Sequence, residues 1–192
     1  MIETIQNQIA IPVISSMKRL ELFIRTDLTL CVIQDVHLAM VGNMIALLHK
    51  HNRRALIHID MIHGLSNDEY GVEYLCQRMY ADGIISTKSK VVEHTKKNKK
   101  LAIQRIFLID SKSIERGIET IRKSSPDVVE LMPAIAFNII PSIKELVSIP
   151  MIGGGLIKNE QDVQQGLQAG FTAFTISDLD LCQTVYNRKL KD

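Results

Sequence analysis

Eight short aliphatic runs recur along the chain at near-constant spacing, and a helical pattern follows most of them. The runs cover residues 12–15, 30–33, 55–59, 83–86, 101–105, 128–131, 151–153 and 173–176. Runs rich in Val and Ile, with little polar alternation, suit strands of a parallel sheet whose outer face is covered by helices. The segments between them carry helix signals. Ile114, Ile118 and Ile121 fall at i, i+4 and i+7, with Glu115, Arg116, Glu119 and Arg122 around the other side. Ser66 with Glu69, and Asn159 with Asp162, have capping-box spacing, and Gly170 stands where a C-cap belongs. Eight strand–helix units in alternation define an α/β chain, and the reading is a minimal TIM-barrel-like (β/α)8 closed parallel barrel. An open doubly wound sheet is the rival, because strand count alone does not prove closure. No linker or composition break divides residues 1–192, so a single domain is expected.

Length sharpens this reading. Eight units over 192 residues leave 24 each, whereas such barrels typically run to about 250 residues. Little chain remains for the long loops in which barrel enzymes build lids and catalytic groups. A sensor suits the length better than an enzyme, and no catalytic residue is assigned. With 46% hydrophobic residues the chain has ample core, and its formal charge of +2 argues against both disorder and a broadly basic nucleic-acid binder. Cys31, Cys76 and Cys182 form no C-x-x-C pair, which reads as free thiols in a reducing, cytoplasmic setting. No apolar run approaches the roughly 18 residues of a membrane span.

Barrel chemistry collects at the C-terminal ends of the strands. The polar residues there are Asp35, His58, Asp60, Lys88, Gln104, Arg105 and Glu130, then Gly153-Gly154-Gly155, then Ser177 with Asp178. Glycines after the seventh strand let backbone N–H groups approach an anion, and Ser177 adds a hydroxyl after the eighth. This order predicts a phosphate site at Gly153, Gly154, Gly155 and Ser177, with Asp178 an awkward neighbour for an anion. Arg105 on an apolar strand needs a partner if buried, and Glu130 on the next strand is the natural one. Asp35 with Asp60, or Lys88 as a Schiff-base amine, would be the groups of an enzyme, but no neighbouring residue marks them as activated. The histidines show no metal-ligand spacing, and no metal or cofactor is expected. Lys96, Lys97, Lys99 and Lys100 precede the fifth strand, hence lie at the opposite face. They are weak candidates for RNA contact, since cations at a helix C-terminus need no further reason. Tyr70, Tyr74 and Tyr80 lie close in sequence, but exposed aromatics for base stacking are not evident.

Several stretches together resemble the glycerol uptake operon antiterminator regulatory proteins of bacteria. They are residues 12–14, 58–66 (HIDMIHGLS), 82–89 (DGIISTKS), 104–111 (QRIFLIDS), 129–133 (VELMP) and 153–157 (GGGLI). The resemblance runs in order from about residue 10 to about 180. It implies a TIM-barrel-like fold that binds glycerol 3-phosphate as effector and acts on the leader mRNA of glycerol-utilisation genes, letting transcription pass a terminator. By position, Gly154, Gly155 and Ser177 would hold the phosphate, and Asp35, Asp60, Lys88, Arg105 and Glu130 would line the polyol side. The chain departs from the family pattern at Ala134, where Gly is common, and at Gly153, where Ala is common. Asp178 replaces a more neutral residue, and Cys182 an aromatic. Two other readings stand beside the antiterminator: a phosphosugar or triose-phosphate enzyme, and a glycerol 3-phosphate sensor acting through a protein partner. A homodimer is compatible with so small a barrel, although no apolar exposed stripe stands out.

Overall fold

In the computed structural model, which describes residues 1–189, each of the eight apolar runs is a strand. They are β1 (Ala10–Ile14), β2 (Leu30–Ile33), β3 (Arg54–His58), β4 (Gly83–Ser86), β5 (Leu101–Phe107), β6 (Val128–Met132), β7 (Met151–Gly154) and β8 (Ala173–Ile176). Every neighbouring pair is parallel, and β1 pairs with both β2 and β8, so the sheet closes on itself. Closure excludes the open doubly wound sheet.

The alternation of side chains along each strand makes two cores. Ile11, Val32, Leu56, Ile85, Ile103, Val128 and Ile152 fill the barrel interior. Their neighbours, such as Ile14, Ile57, Ile84, Val129 and Phe174, pack outward against the helices. The ring of helices comprises α2 (Met17–Ile24), α3 (Leu38–Lys50), α4 (Glu69–Glu73), α5 (Ser89–Lys97), α6 (Ser111–Ser124), α7 (Ile140–Leu146), α8 (Glu160–Ala169) and α9 (Leu179–Lys189). Within α6, Ile118 and Ile121 are buried and Ile114 packs beside them, as its periodicity predicts. Asn159 and Asp162 form the expected capping box of α8, and Gly170 ends that helix at φ 121°.

Four features escaped the sequence reading. Residues Ile2–Gln8 form a helix, α1, across the N-terminal end of the barrel. Ile5 enters the interior core, and the Gln8 amide donates to the carbonyls of Ala10 and Leu30 at 3.0 and 2.7 Å. The cap of α4 is Asp68, accepting from Gly71 N at 3.0 Å, and not Ser66. The helix then widens into a π turn at Tyr74–Arg78. Finally, Val36–His37 and Ile62–His63 make a two-stranded ribbon at the C-terminal rim.

Gly153 and Ala134 form a complementary pair. A Cβ on Gly153 would lie 2.8 Å from the Ala134 methyl and 2.9 Å from Phe174 Cδ1. One methyl group fits between β7 and the turn after β6, and here residue 134 carries it instead of residue 153. Gly153→Ala alone is therefore expected to cost about 1–3 kcal/mol by overpacking. The exchange Gly153→Ala/Ala134→Gly should recover the part due to the Ala134 methyl in urea unfolding, the contact with Phe174 remaining. A double variant as unstable as the single one would contradict this account.

Candidate functional site

The last inward-facing layer before the C-terminal mouth is polar. Arg105 and Glu130 are direct partners in the β5–β6 register. Arg105 Nε donates to Glu130 Oε2 at 2.6 Å, with the two side chains 7% and 0% exposed. Thr175 Oγ1 donates to the other carboxylate oxygen, Oε1, also at 2.6 Å. Both oxygens of the buried carboxylate are thus satisfied, which such burial requires. Gly154 makes room for this arrangement: a Cβ there would lie 2.8 Å from both Glu130 Oε1 and Thr175 Oγ1. His58 completes the layer at 2% exposure, and neither of its ring nitrogens has a hydrogen-bond partner in the protein. Burial, reinforced by the nearby Arg105 charge, pushes its pKa down to about 4. At neutral pH it is an uncharged imidazole with one donor and one acceptor to offer.

Beside this layer lies a cavity of 310 Å³ lined by Gly155, Leu156, Ile157 and Lys158 after β7, and by Thr175, Ile176, Ser177 and Asp178 around the end of β8. Thr175 belongs to both, so the cavity and the buried polar group are contiguous. Gly155 and Leu156 have φ of 78° and 64°. Left-handed backbone at a β-carbon residue such as Leu156 is strained, and such strain is typical of ligand-binding turns. Asp178 is less awkward than its charge suggests. Its Oδ1 accepts from Asp180 N and Leu181 N at 2.9 and 3.1 Å, so it caps the start of α9. Arg19, on the first turn of α2, donates to the Ser177 carbonyl and brings a cation to the cavity's edge. Lys158 supplies a second. Neither cation was singled out from the sequence: Arg19 precedes all the strand-end signals, and Lys158 looks like an ordinary helix-flanking lysine.

The remaining predicted residues occupy other positions. Gly153 is a packing residue within β7 rather than part of the cavity lining. Asp60, in the single turn after β3, accepts from Ser86 Oγ (2.7 Å), Thr87 N (2.7 Å) and Thr87 Oγ1 (2.9 Å). Burial raises its pKa, but those donors outweigh burial and hold the carboxyl below its usual range. Lys88 Nζ donates to Asn67 Oδ1 at 2.5 Å, and Asn67 Nδ2 donates to Asp60 at 3.3 Å. Asp35, at φ 55°, is exposed on the rim 2.8 Å from His63 Nε2. Asp60 and Lys88 therefore form one hydrogen-bonded cluster between β3 and β4, and Asp35 a separate rim pair. Lys96, Lys99 and Lys100 line a 690 Å³ depression at the opposite end of the barrel, with Asp82 and Asp127 among them. Lys96 is 3.5 Å from Asp127. The three cysteines are buried, and burial pushes the Cys76 thiol up to about 11. Among the described residues no cluster of metal-ligating side chains occurs, and no helix is long and apolar enough to cross a membrane.

The architecture is that of a TIM-barrel-like (β/α)8 barrel. It superimposes on the deoxyribose phosphate aldolase of Aeropyrum pernix with a TM-score of 0.67 at 11% identity, a likeness of fold alone. Closer kinship is specific. The model of the glycerol-3-phosphate responsive antiterminator family matches residues 10–182, and the chain belongs to that family. A glycerol uptake operon antiterminator regulatory protein from Listeria monocytogenes is 35% identical, with a TM-score of 0.88 over 91% of this chain and 95% of that one. An antiterminator-related protein from Thermotoga maritima is 25% identical, with a TM-score of 0.79 over 90% and 96%. The Escherichia coli K12 protein YgcP is 28% identical over 170 residues, 87% of this chain and 89% of its own length.

Proposed function

We propose that the chain is a cytoplasmic, non-enzymatic regulator that binds glycerol 3-phosphate at the C-terminal mouth and, in response, binds the leader mRNA of glycerol-utilisation genes. The observation that carries the ligand assignment is the contiguity, through Thr175, of an anion-type turn and a buried polar layer. The turn at Gly155–Leu156, the Ser177 end of β8, Arg19 and Lys158 suit a phosphate. His58, Arg105, Glu130 and Thr175 suit the two hydroxyls of a glyceryl group, and Gly154 keeps space for their arrangement. Asp35, Asp60 and Lys88 support the rim rather than touch the polyol. That arrangement disfavours the enzyme reading, because the Lys88 amine is held by Asn67 and the Asp60 carboxylate is already engaged by Ser86 and Thr87.

Ligand present at 100 times its Kd should add about 2.7 kcal/mol of stability. For a domain of this size that is a rise of roughly 5–10 °C in Tm. No shift with millimolar glycerol 3-phosphate would overturn the ligand assignment. Arg19→Ala should weaken the ligand-induced shift while leaving the unliganded Tm nearly unchanged. A mobility shift of the leader transcript, titrated with ligand, tests the second half. Ligand binding without any RNA shift would favour a sensor that signals through a protein partner. Turnover of triose phosphates, lost in Asp60→Asn, would favour the enzyme.

A further inference from the structure

The surface formed by α4, its π turn and the outer side of α5 carries the exposed aromatics that the sequence did not reveal. Tyr70, Tyr74 and Tyr80 are 72%, 44% and 64% exposed. Three of the chain's four tyrosines thus stand on one segment of a protein with only five phenylalanines and no tryptophan. Tyr70 and Tyr74 line a 260 Å³ hollow with Glu73, Gln77 and Arg78. Exposed tyrosines on consecutive helical turns contribute nothing to the core, so their stability role is small.

This segment lies along α5. His94 Nε2 is 3.2 Å from Glu69 Oε2, and Gln77 Nε2 donates to Asn98 Oδ1 at 3.0 Å. Lys90, His94 and Lys97 recur at i, i+4 and i+7 on α5 with exposed Lys99 beyond them, while Glu93 lies between them and Glu69 and Glu73 stand opposite on α4, so cations alternate with carboxylates along this face. A single-stranded nucleic acid stacks its bases on exposed rings and pairs its phosphates with separate cations, and here the rings of Tyr70 and Tyr74 have Arg78, Lys90, Lys97 and Lys99 around them. The start of α4 is tied to the C-terminal rim. Asn67, which holds Lys88 and Asp60 at the rim, immediately precedes the Asp68 cap of α4. A π turn within a helix is a frequent companion of functional sites.

We infer that single-stranded RNA binds across the α4–α5 face, its bases stacking on Tyr70 and Tyr74 and its phosphates running past Arg78, Lys90, Lys97 and Lys99. This rests on the RNA half of the proposed function and places the RNA site along the side of the barrel, sharing Lys97 and Lys99 with its basic end. Because the protein lacks tryptophan, its intrinsic fluorescence is tyrosine emission, and the leader transcript should quench it. Tyr70→Ala/Tyr74→Ala should weaken binding of that transcript about tenfold or more. Its Tm and its response to glycerol 3-phosphate should match the wild type, and Tyr70→Phe/Tyr74→Phe should retain binding. Lys90→Gln/Lys97→Gln should lower the salt dependence, by roughly 0.7 in log–log slope for each phosphate that is no longer neutralised.

Wild-type RNA affinity in the double alanine variant would overturn the assignment. So would a change of sedimentation mass in that variant with RNA affinity intact, which would make the face a contact between copies of this chain. If the wild-type protein binds no RNA with or without ligand, the RNA reading itself fails, an outcome distinct from a variant-specific null.

Discussion

Glu130→Ala is expected to lower the melting temperature by roughly 10 °C. The substitution leaves the Arg105 guanidinium inside the barrel at 7% exposure with its carboxylate partner gone, and Thr175 without its acceptor. Removing one member of a buried ion pair typically costs about 3–5 kcal/mol, because the surviving charge is uncompensated. For a domain of 150–250 residues each kcal/mol corresponds to about 2–4 °C. The apolar replacement Arg105→Met/Glu130→Met removes both charges and should recover most of the loss. It should nevertheless lose the thermal shift with glycerol 3-phosphate. That combination separates a brace from a ligand contact. Full recovery of both stability and ligand response would show that the pair only braces the barrel. A Glu130→Ala protein with unchanged Tm would show that water or rearrangement satisfies Arg105 easily.

The second large effect is one of pH. His58 has a folded pKa of about 4 against an unfolded value near 6.5. The unfolded chain therefore binds a proton in a range where the folded chain stays neutral. Folded stability falls as pH drops from about 6.5 to about 4, and levels off below that. The full loss is on the order of 3 kcal/mol at acid pH. His58→Leu should flatten that part of the profile and raise stability at pH 5, since it also removes two unpartnered buried nitrogens. It should weaken glycerol 3-phosphate binding at pH 7, because the same nitrogens are the groups left to meet a hydroxyl. Urea unfolding of both proteins between pH 4 and 7 measures the first effect, and calorimetric titration the second. An unchanged pH slope in His58→Leu would show that other groups govern it.

Much of the molecule is legible in the sequence because its signals are local. Eight Val- and Ile-rich runs became eight strands, since a strand buried on both faces needs apolar residues at consecutive positions. Arg105 and Glu130 were readable as partners because an ion on an apolar strand requires a counter-ion, and the adjacent strand offered one. The cavity turn at Gly155 and Ser177 was readable from barrel topology. Other features were not readable from local pattern. Asp178 looked hostile to an anion until its carboxylate was seen capping α9. Gly153 belongs to a glycine run that suits a phosphate turn, and only the fold shows that its missing methyl complements Ala134, nineteen residues away. Arg19 contributes to the cavity only because closure of the barrel sets β1 and α2 beside β8.

The sequence by itself determined the eight barrel strands, their burial on both faces and the chain positions of their polar C-terminal ends. Periodicity and composition act within a few residues, and those properties follow from them. Only the tertiary structure decided which polar residues face inward together and which serve as caps, rim pairs or packing. That choice depends on register around a closed barrel, where Thr175 meets Glu130 across 45 residues. It also decided that the tyrosines stand in solvent, because exposure depends on what packs against a helix and not on the helix's own residues.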